Sequence, residues 1–191
     1  RVFKPILEVL AGVPTIVFGY FALTFFTPTV LNDWLGLGVP VFNALSAGIV
    51  MGFMVMPTIA SVSEDALSAV PRSLREGAYG LGANKMQVAV RVVFPAALSG
   101  IVASIVLGVS RAIGETMIVL IAAGQKPNLT ADPRQPMETI ATFIARTAKG
   151  DIAQGSTVYK TIFAVGMTLF VMTFVMNALS IKLVNKYRQV Y

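Results

Sequence analysis

Arg111 and Glu115 are the residues whose types and spacing most directly offer chemistry. They lie in SRAIGETMIVLIAAG, inside a long apolar run, four residues apart. On a continuous helix that spacing puts both on one side. Arg91 lies well before them and Lys126 well after, so the pair is predicted to sit at depth in the run rather than at a rim. An arginine inside a bilayer costs about 2.5–3.5 kcal/mol on insertion scales, so it must face protein or water. Two readings stay open. One is a static ion pair that neutralises itself; breaking such a buried pair costs about 3–5 kcal/mol. The other is an anion path, in which the guanidinium offers a fixed fork of donors suited to a tetrahedral oxyanion. Glu115 would then hold the fork in place and keep the vacant site from trapping an anion too tightly. Ser110 and Thr116 can add hydroxyl donors, although Thr116 flanks the pair and can face a neighbour instead. The chain has no His and no Cys. Imidazole chemistry, thiol chemistry and disulfides are therefore excluded.

A second group of charges lies in SVSEDALSAVPRSLREGAYGLGANKMQVAVRVVFP, which starts at Ser61. Its polarity predicts a loop outside the membrane, at about 61–92. Ser61 with Glu64, and Ser73 with Glu76, are spaced as capping boxes. Leu74, Ala78 and Leu81 form a helical stripe. Gly80 and Gly82 favour a break, and a second helix can start near Asn84. The small residues Gly77, Ala78, Gly80, Gly82 and Ala83 allow close approach of another surface. Arg72, Arg75, Glu76 and Lys85 supply charge at its rim. Composition alone leaves a docking element and a solvated loop equally open.

The elements that must hold these groups follow from composition. Of 191 residues, 55% are hydrophobic and 13% charged, against roughly 25% charged in an ordinary soluble domain. Lipid must be the solvent for part of the surface. The predicted fold class is all-α, a polytopic transmembrane helical bundle forming a single domain over 1–191. Four apolar stretches are long enough to cross: about Ile6 to Phe26 with Glu8 near one end, Val39 to Ile59, Val88 to Ala123, and Thr161 to Leu183. The third is too long for one simple crossing. Pro14, Pro57 and Pro95 each predict a boundary or kink.

Lys and Arg set orientation. Arg1, Lys4, Arg72, Arg75, Lys85, Arg91, Lys182, Lys186 and Arg188 share one side, and Lys126, Arg134, Arg146, Lys149 and Lys160 the other. The excess puts both ends and the 61–92 loop in the cytoplasm. It also explains the net charge of +6 without a nucleic-acid partner. Outside lie a short loop with Asp33 and the interface anchor Trp34, and a longer one at about 125–160. In the latter, Thr130, Asp132 and Pro133 predict a turn. Ile140, Phe143, Ile144 and Ala148 predict one face of a short amphipathic helix that stops at Gly150. The opening RVFKPILEVL lacks a cleavage site and does not read as a signal peptide; it reads as a piece whose N-terminus lies upstream.

The 61–92 loop resembles the EAA loop of permease subunits of ABC importers: Glu76, Gly77, Ala78, Gly82, Val92, Phe94 and Pro95 match that pattern with its spacing, with Gly77, Val92 and Phe94 as conservative departures. RAIGETM from Arg111 to Met117, and GVPTIVFGYFAL at residues 12–23, resemble segments of phosphate ABC importer permeases. The TM after Glu115 resembles the PstC-type subunit more than the PstA-type. The resemblance covers nearly all of the chain. It implies the type I ABC importer permease fold in a bacterial inner membrane, with the loop as a coupling helix seated on an ATPase, and Glu76 and Gly82 carrying movement. It implies a phosphate path at Arg111 and Glu115. It implies three kinds of companion: a second homologous permease, two ATP-binding cassette ATPase subunits and an extracytoplasmic phosphate-binding protein. It also implies two further N-terminal spans, to make the usual six. No cofactor is expected in this chain; ATP and Mg belong to the ATPases. The chain has no G-x-x-x-x-G-K-[ST] loop and is expected to be a transport subunit, not an enzyme. The alternatives are a related importer for sulfate, molybdate or another solute, an ion-driven transporter or channel, and a structural membrane subunit.

Overall fold

A computed structural model describes Ile6 and residues 9–150 and 152–187. Arg1, Lys4, Glu8 and Arg188, used above for the bundle's edges, lie outside the described residues, as does the side chain of Lys186. Among the described residues, four helices are long and apolar enough to cross a membrane: Thr15–Trp34, Ala44–Ser68, Lys85–Ile113 and Thr157–Leu179. Among the described residues there is no strand. The all-α polytopic expectation therefore holds, but most span edges move.

The first span starts later than predicted and ends later. Pro14, extended at ψ 138°, precedes α1 (Thr15–Phe21), where its missing N–H costs nothing. The helix then widens into a π-helical segment, Ala22–Trp34. Thr27 Oγ1 donates to the Ala22 carbonyl at 2.9 Å, which lets the polar-looking TPTVLNDW stay helical around Pro28. Trp34 thus ends the span rather than sitting in a loop.

α2 (Ala44–Ser68) also runs past its predicted end, with Pro57 inside it. Ser61 is consequently in the helix interior, and the Ser61–Glu64 capping box does not form. The cap is Asn43, whose Oδ1 accepts from Ser46 N at 2.7 Å. Asn43 is fully buried. Its Nδ2 donates to the Pro40 carbonyl at 2.9 Å, and its backbone N–H donates to Ala122 at 3.0 Å. The next two N–H groups reach Gln135 and Pro133 carbonyls at 3.2 and 2.7 Å. Asn43→Ala removes the cap, worth about 1 kcal/mol, and strands its buried partners at about 1–3 kcal/mol. A clear fall in the thermal midpoint of the detergent-solubilised protein is expected; an unchanged midpoint would refute this role.

The 61–92 loop forms α3 (Arg72–Gly80), a turn, and α4 (Lys85–Val88). Pro71 precedes α3 with no side-chain cap, so Ser73 is already helical and the Ser73–Glu76 box is absent. Leu74 and Ala78 are half-buried, but Leu81 lies past the helix end and is 90% exposed. The break at the glycines is as expected: Gly82 has φ +82°. α4 starts at Asn84, whose capping box uses Gln87, with both bonds at 2.9 Å. A π-helical turn, Ala89–Val93, leads into α5 (Phe94–Ile113). Pro95 lies inside the continuous helical span Lys85–Ile113, just after the π-helical turn that precedes α5.

After α5 come α6 (Met117–Ala122), α7 (Ile140–Lys149) and α8 (Thr157–Tyr187). The chain divides into two compact units. One holds residues 1–55 and 111–173; the other holds 56–110 and 174–191. In the first, α1 packs on α6 so closely that a Cβ on Gly19 would lie 3.1 Å from Ile118 Cα. Phe18, Ala22, Leu31, Val50, Ile118 and Ala122 form its core. In the second, α2 and α5 meet through small residues. Gly100 abuts Ala66, and Ser63 and Ser104 hydroxyls are 2.7 Å apart. Small contacts and shared hydroxyls are how helices associate where lipid removes the hydrophobic drive.

α7 is amphipathic, but its buried residues are Ala141, Thr142 and Thr147, while Ala148 is exposed. Of the expected apolar face, Ile140, Phe143 and Ile144 are half-buried, and Thr142 packs more deeply after capping with Thr139. Gly150 does close the helix, though in an extended rather than left-handed conformation.

Candidate functional site

The apolar run carrying Arg111 and Glu115 is not one helix. α5 ends at Ile113, Gly114 to Thr116 leave the helix, and α6 starts at Met117. The four-residue spacing therefore does not put the pair on one helical face, which corrects the expectation. Glycine at 114 weakens helix continuation, and the Glu115 carboxylate supplies an alternative. Its Oε1 accepts from Met117 N at 3.0 Å and Ile118 N at 3.3 Å. These are amides that open α6 and would otherwise be orphaned in apolar surroundings, where each costs several kcal/mol. Glu115 is half-buried, and the helix it caps is anchored by the buried Ile118 and Val119.

Arg111, at the last turn of α5, is exposed. At bilayer depth an arginine must face water or protein. Thr116 sits at the start of α6 and donates to the Gly114 carbonyl at 3.3 Å. Ser110 belongs to the other unit. There its hydroxyl donates to Asn177 Oδ1 of α8 at 3.0 Å. Asn177 was not singled out from sequence, although a lone amide in the apolar TFVMNALS run is the signal that marks it.

The substitution Glu115→Gln separates capping from charge. The amide oxygen can still accept from both N–H groups, so the thermal midpoint in detergent should fall little. Glu115→Ala strands both donors and should cost about 1.5–3 kcal/mol, as loss of bonds to a charged acceptor. Equal midpoints for the two variants would show that the cap is unimportant.

In the 61–92 loop, Arg72, Glu76, Gly77, Gly82 and Lys85 are exposed, and Ala78 is half-buried. No residue of α3 is fully buried. Tyr79, Leu81 and Met86 are exposed as well, at 48%, 90% and 72%. Arg75 differs from its charged neighbours: it is half-buried, and its Nη2 donates to the Leu67 carbonyl at 2.8 Å.

The 125–139 segment is a built turn. Asp132 N donates to Thr130 Oγ1 at 3.1 Å, and Arg134 donates to the Asp132 carboxylate through Nε and Nη2 at 3.0 and 3.1 Å. The side-chain bond from Arg134, and then its backbone N–H, hold the Asp132 carboxyl below its ordinary range. This tie is in place above the ordinary aspartate pKa and is lost as pH falls through the lowered folded value. Gly124, at φ +98°, lets α6 turn sharply beside Phe42 and Pro136.

Comparison with known proteins agrees with this architecture. Residues 1–188 match the family model of the binding-protein-dependent transport system inner membrane component. The chain is 35% identical over 175 residues to the probable ABC transporter permease protein YqgH of Bacillus subtilis, covering 91% of this chain and 55% of that one. It is 36% identical over 200 residues to the phosphate transport system permease protein PstC of Haemophilus influenzae, covering 96% and 62%. The chain thus spans somewhat more than half the length of these relatives. In fold it is similar to the MetNI methionine ABC transporter in inward facing conformations, with TM-scores of 0.75 and 0.73 at 18% and 20% identity. Each of these matches covers 99% of this chain and 76% of the other. The loop on Glu76, the interrupted span on Arg111 and the family match converge, and the chain belongs to the inner membrane components of binding-protein-dependent transport systems.

Proposed function

We propose that this chain is a PstC-type permease subunit of an ATP-driven importer and forms part of the path for inorganic phosphate. The observation that carries the reading is the exposed Arg111 beside the interruption of an apolar span. An arginine there is tolerated only against water or protein, and its fork suits a tetrahedral oxyanion. The names of the permease relatives support phosphate as the solute. Because Glu115 is engaged with α6, its part is to hold the segment beside Arg111 in place rather than to bind the anion.

In this reading the loop on Glu76 and Gly82 and both ends of the described chain are cytoplasmic. The exposed residues of α3 and α4 meet an ATP-binding cassette subunit, where ATP and Mg reside. A second homologous permease completes the path, and a phosphate-binding protein delivers the anion from outside. Closure of the ATPase dimer moves the loop, the spans alternate their opening, and phosphate passes Arg111. Labelled phosphate uptake by vesicles holding the full complex tests this. ATP-dependent uptake is expected. ATP hydrolysis indifferent to phosphate, together with uptake of a different anion, would sink phosphate and leave the related-oxyanion importer as the reading.

A further inference from the structure

α2 ends at Ser68, and the chain passes through Ala69 and Val70 to Pro71 before α3 begins. A carbonyl in the last turn of a helix lacks the usual N–H four residues on, unless the chain bends to supply one. For Leu67 that residue is Pro71, which has no N–H at all. Arg75 takes its place from the next helix, with Nη2 donating to the Leu67 carbonyl at 2.8 Å. Its charge then sits at the negative end of the α2 dipole. The contact borders a groove of about 650 Å3 lined by Glu64, Leu67, Ser68, Val90, Val93 and Phe94. Arg75 Nε is buried without an acceptor, so the guanidinium is held to α2 by its Nη2 edge. Arg72 and Glu76, on the same helix, are exposed. The charge expected at a docking rim is instead turned toward the membrane span.

We propose that Arg75 is a positioning residue for energy coupling, a strut that passes displacement of α3 to the end of α2. The proposal rests on the reading of this loop as the coupling loop. Glu76 and its exposed neighbours receive the movement in that scheme, and Arg75 hands it on. The Arg75–Leu67 bond ties the middle of α3 to the last turn of α2, so without it the short helix can swing while α2 stays still.

The test uses the complete complex in proteoliposomes and reads phosphate moved per ATP hydrolysed. Arg75→Met keeps the apolar stem and removes the donor. ATP hydrolysis should stay within about twofold, while phosphate per ATP falls roughly tenfold. Arg75→Lys restores a donor and should recover most of the ratio. The double variant Pro71→Ala, Arg75→Met gives the Leu67 carbonyl a backbone N–H without a strut; it should recover thermal stability but not the ratio. An unchanged ratio in Arg75→Met overturns the proposal, and so does a ratio restored in the double variant, which would make Arg75 a helix cap only. If Arg75→Met does not assemble, the contrast between Arg75→Lys and the double variant decides. Failure of the unmodified complex to move phosphate would sink the phosphate reading and not the strut. The chain has no cysteine, so nitroxides at Ser61→Cys and Tyr79→Cys read the link without transport. One narrow distance is expected with or without ATP, broadened by Arg75→Met; a distribution indifferent to that substitution overturns the strut.

Discussion

Replacing Arg111 by Lys should leave the complex assembled in the membrane and cut phosphate uptake by about tenfold or more, equivalent to about 1.4 kcal/mol. Lysine keeps the charge but offers a compact, strongly hydrated point in place of a planar fork. A static role for Arg111 would be largely satisfied by that exchange, since a point charge serves neutralisation. A role in passing an oxyanion would not, because the two parallel bonds of the fork are lost. Arg111→Ala goes further and should abolish uptake. The checks are initial rates of labelled uptake and recovery of the intact complex on affinity purification. Normal uptake by Arg111→Lys would return the residue to a structural account. Arg111 is exposed, and lysine keeps its charge and most of its stem, so assembly should tolerate the exchange.

Gly82→Val should have an effect of similar size by a different route. Gly82 sits at φ +82° between α3 and α4. A left-handed conformation costs an L-residue roughly 1–2 kcal/mol, and a β-branched one is a true outlier there. The turn also closes α3, through Gly82 N to the Tyr79 carbonyl at 2.9 Å and Ala83 N to the Ala78 carbonyl at 3.1 Å. Forcing φ negative breaks that closure and moves Asn84, which caps α4. Nothing lies within 4 Å of a Cβ at this position, so the damage is conformational rather than steric. The chain should still insert, yet recover about tenfold less ATPase subunit on purification, the size of a 1.4 kcal/mol loss in association. Gly82→Asn, which tolerates the left-handed region, should bind nearly normally. Retained ATPase binding and uptake in Gly82→Val would refute the turn's part in docking.

The sequence made some of this legible and hid the rest for physical reasons. Apolar runs announced four crossings, because lipid leaves length and composition as the dominant constraints. Their edges were not announced. Pro57 is absorbed within α2, and the polar end of the first span stays helical because it widens around Thr27 and Pro28. The turn at Gly82 and the helix start at Asn84 were readable, since each depends on one residue's local chemistry. The break at Gly114 was not, because a single glycine in a long apolar run is compatible with a continuous helix until Glu115 is seen to bond the amides beyond it. By sequence Arg75 is indistinguishable from the rim charges beside it, because its bond to Leu67 depends on where α2 stops. Of the hydroxyls set beside Arg111, Ser110 is committed to Asn177, a partner 67 residues away that no local pattern reveals.

The exposed Arg111 and Asn177 also bear on how a cell counts this subunit. A bare apolar helix is content in lipid, but an exposed guanidinium or amide calls for water or protein on its outer side. An orphan copy thus carries its own mark of incompleteness, readable by a membrane protease as local unfolding or bilayer thinning. Its lifetime should follow the supply of companions rather than its own rate of synthesis.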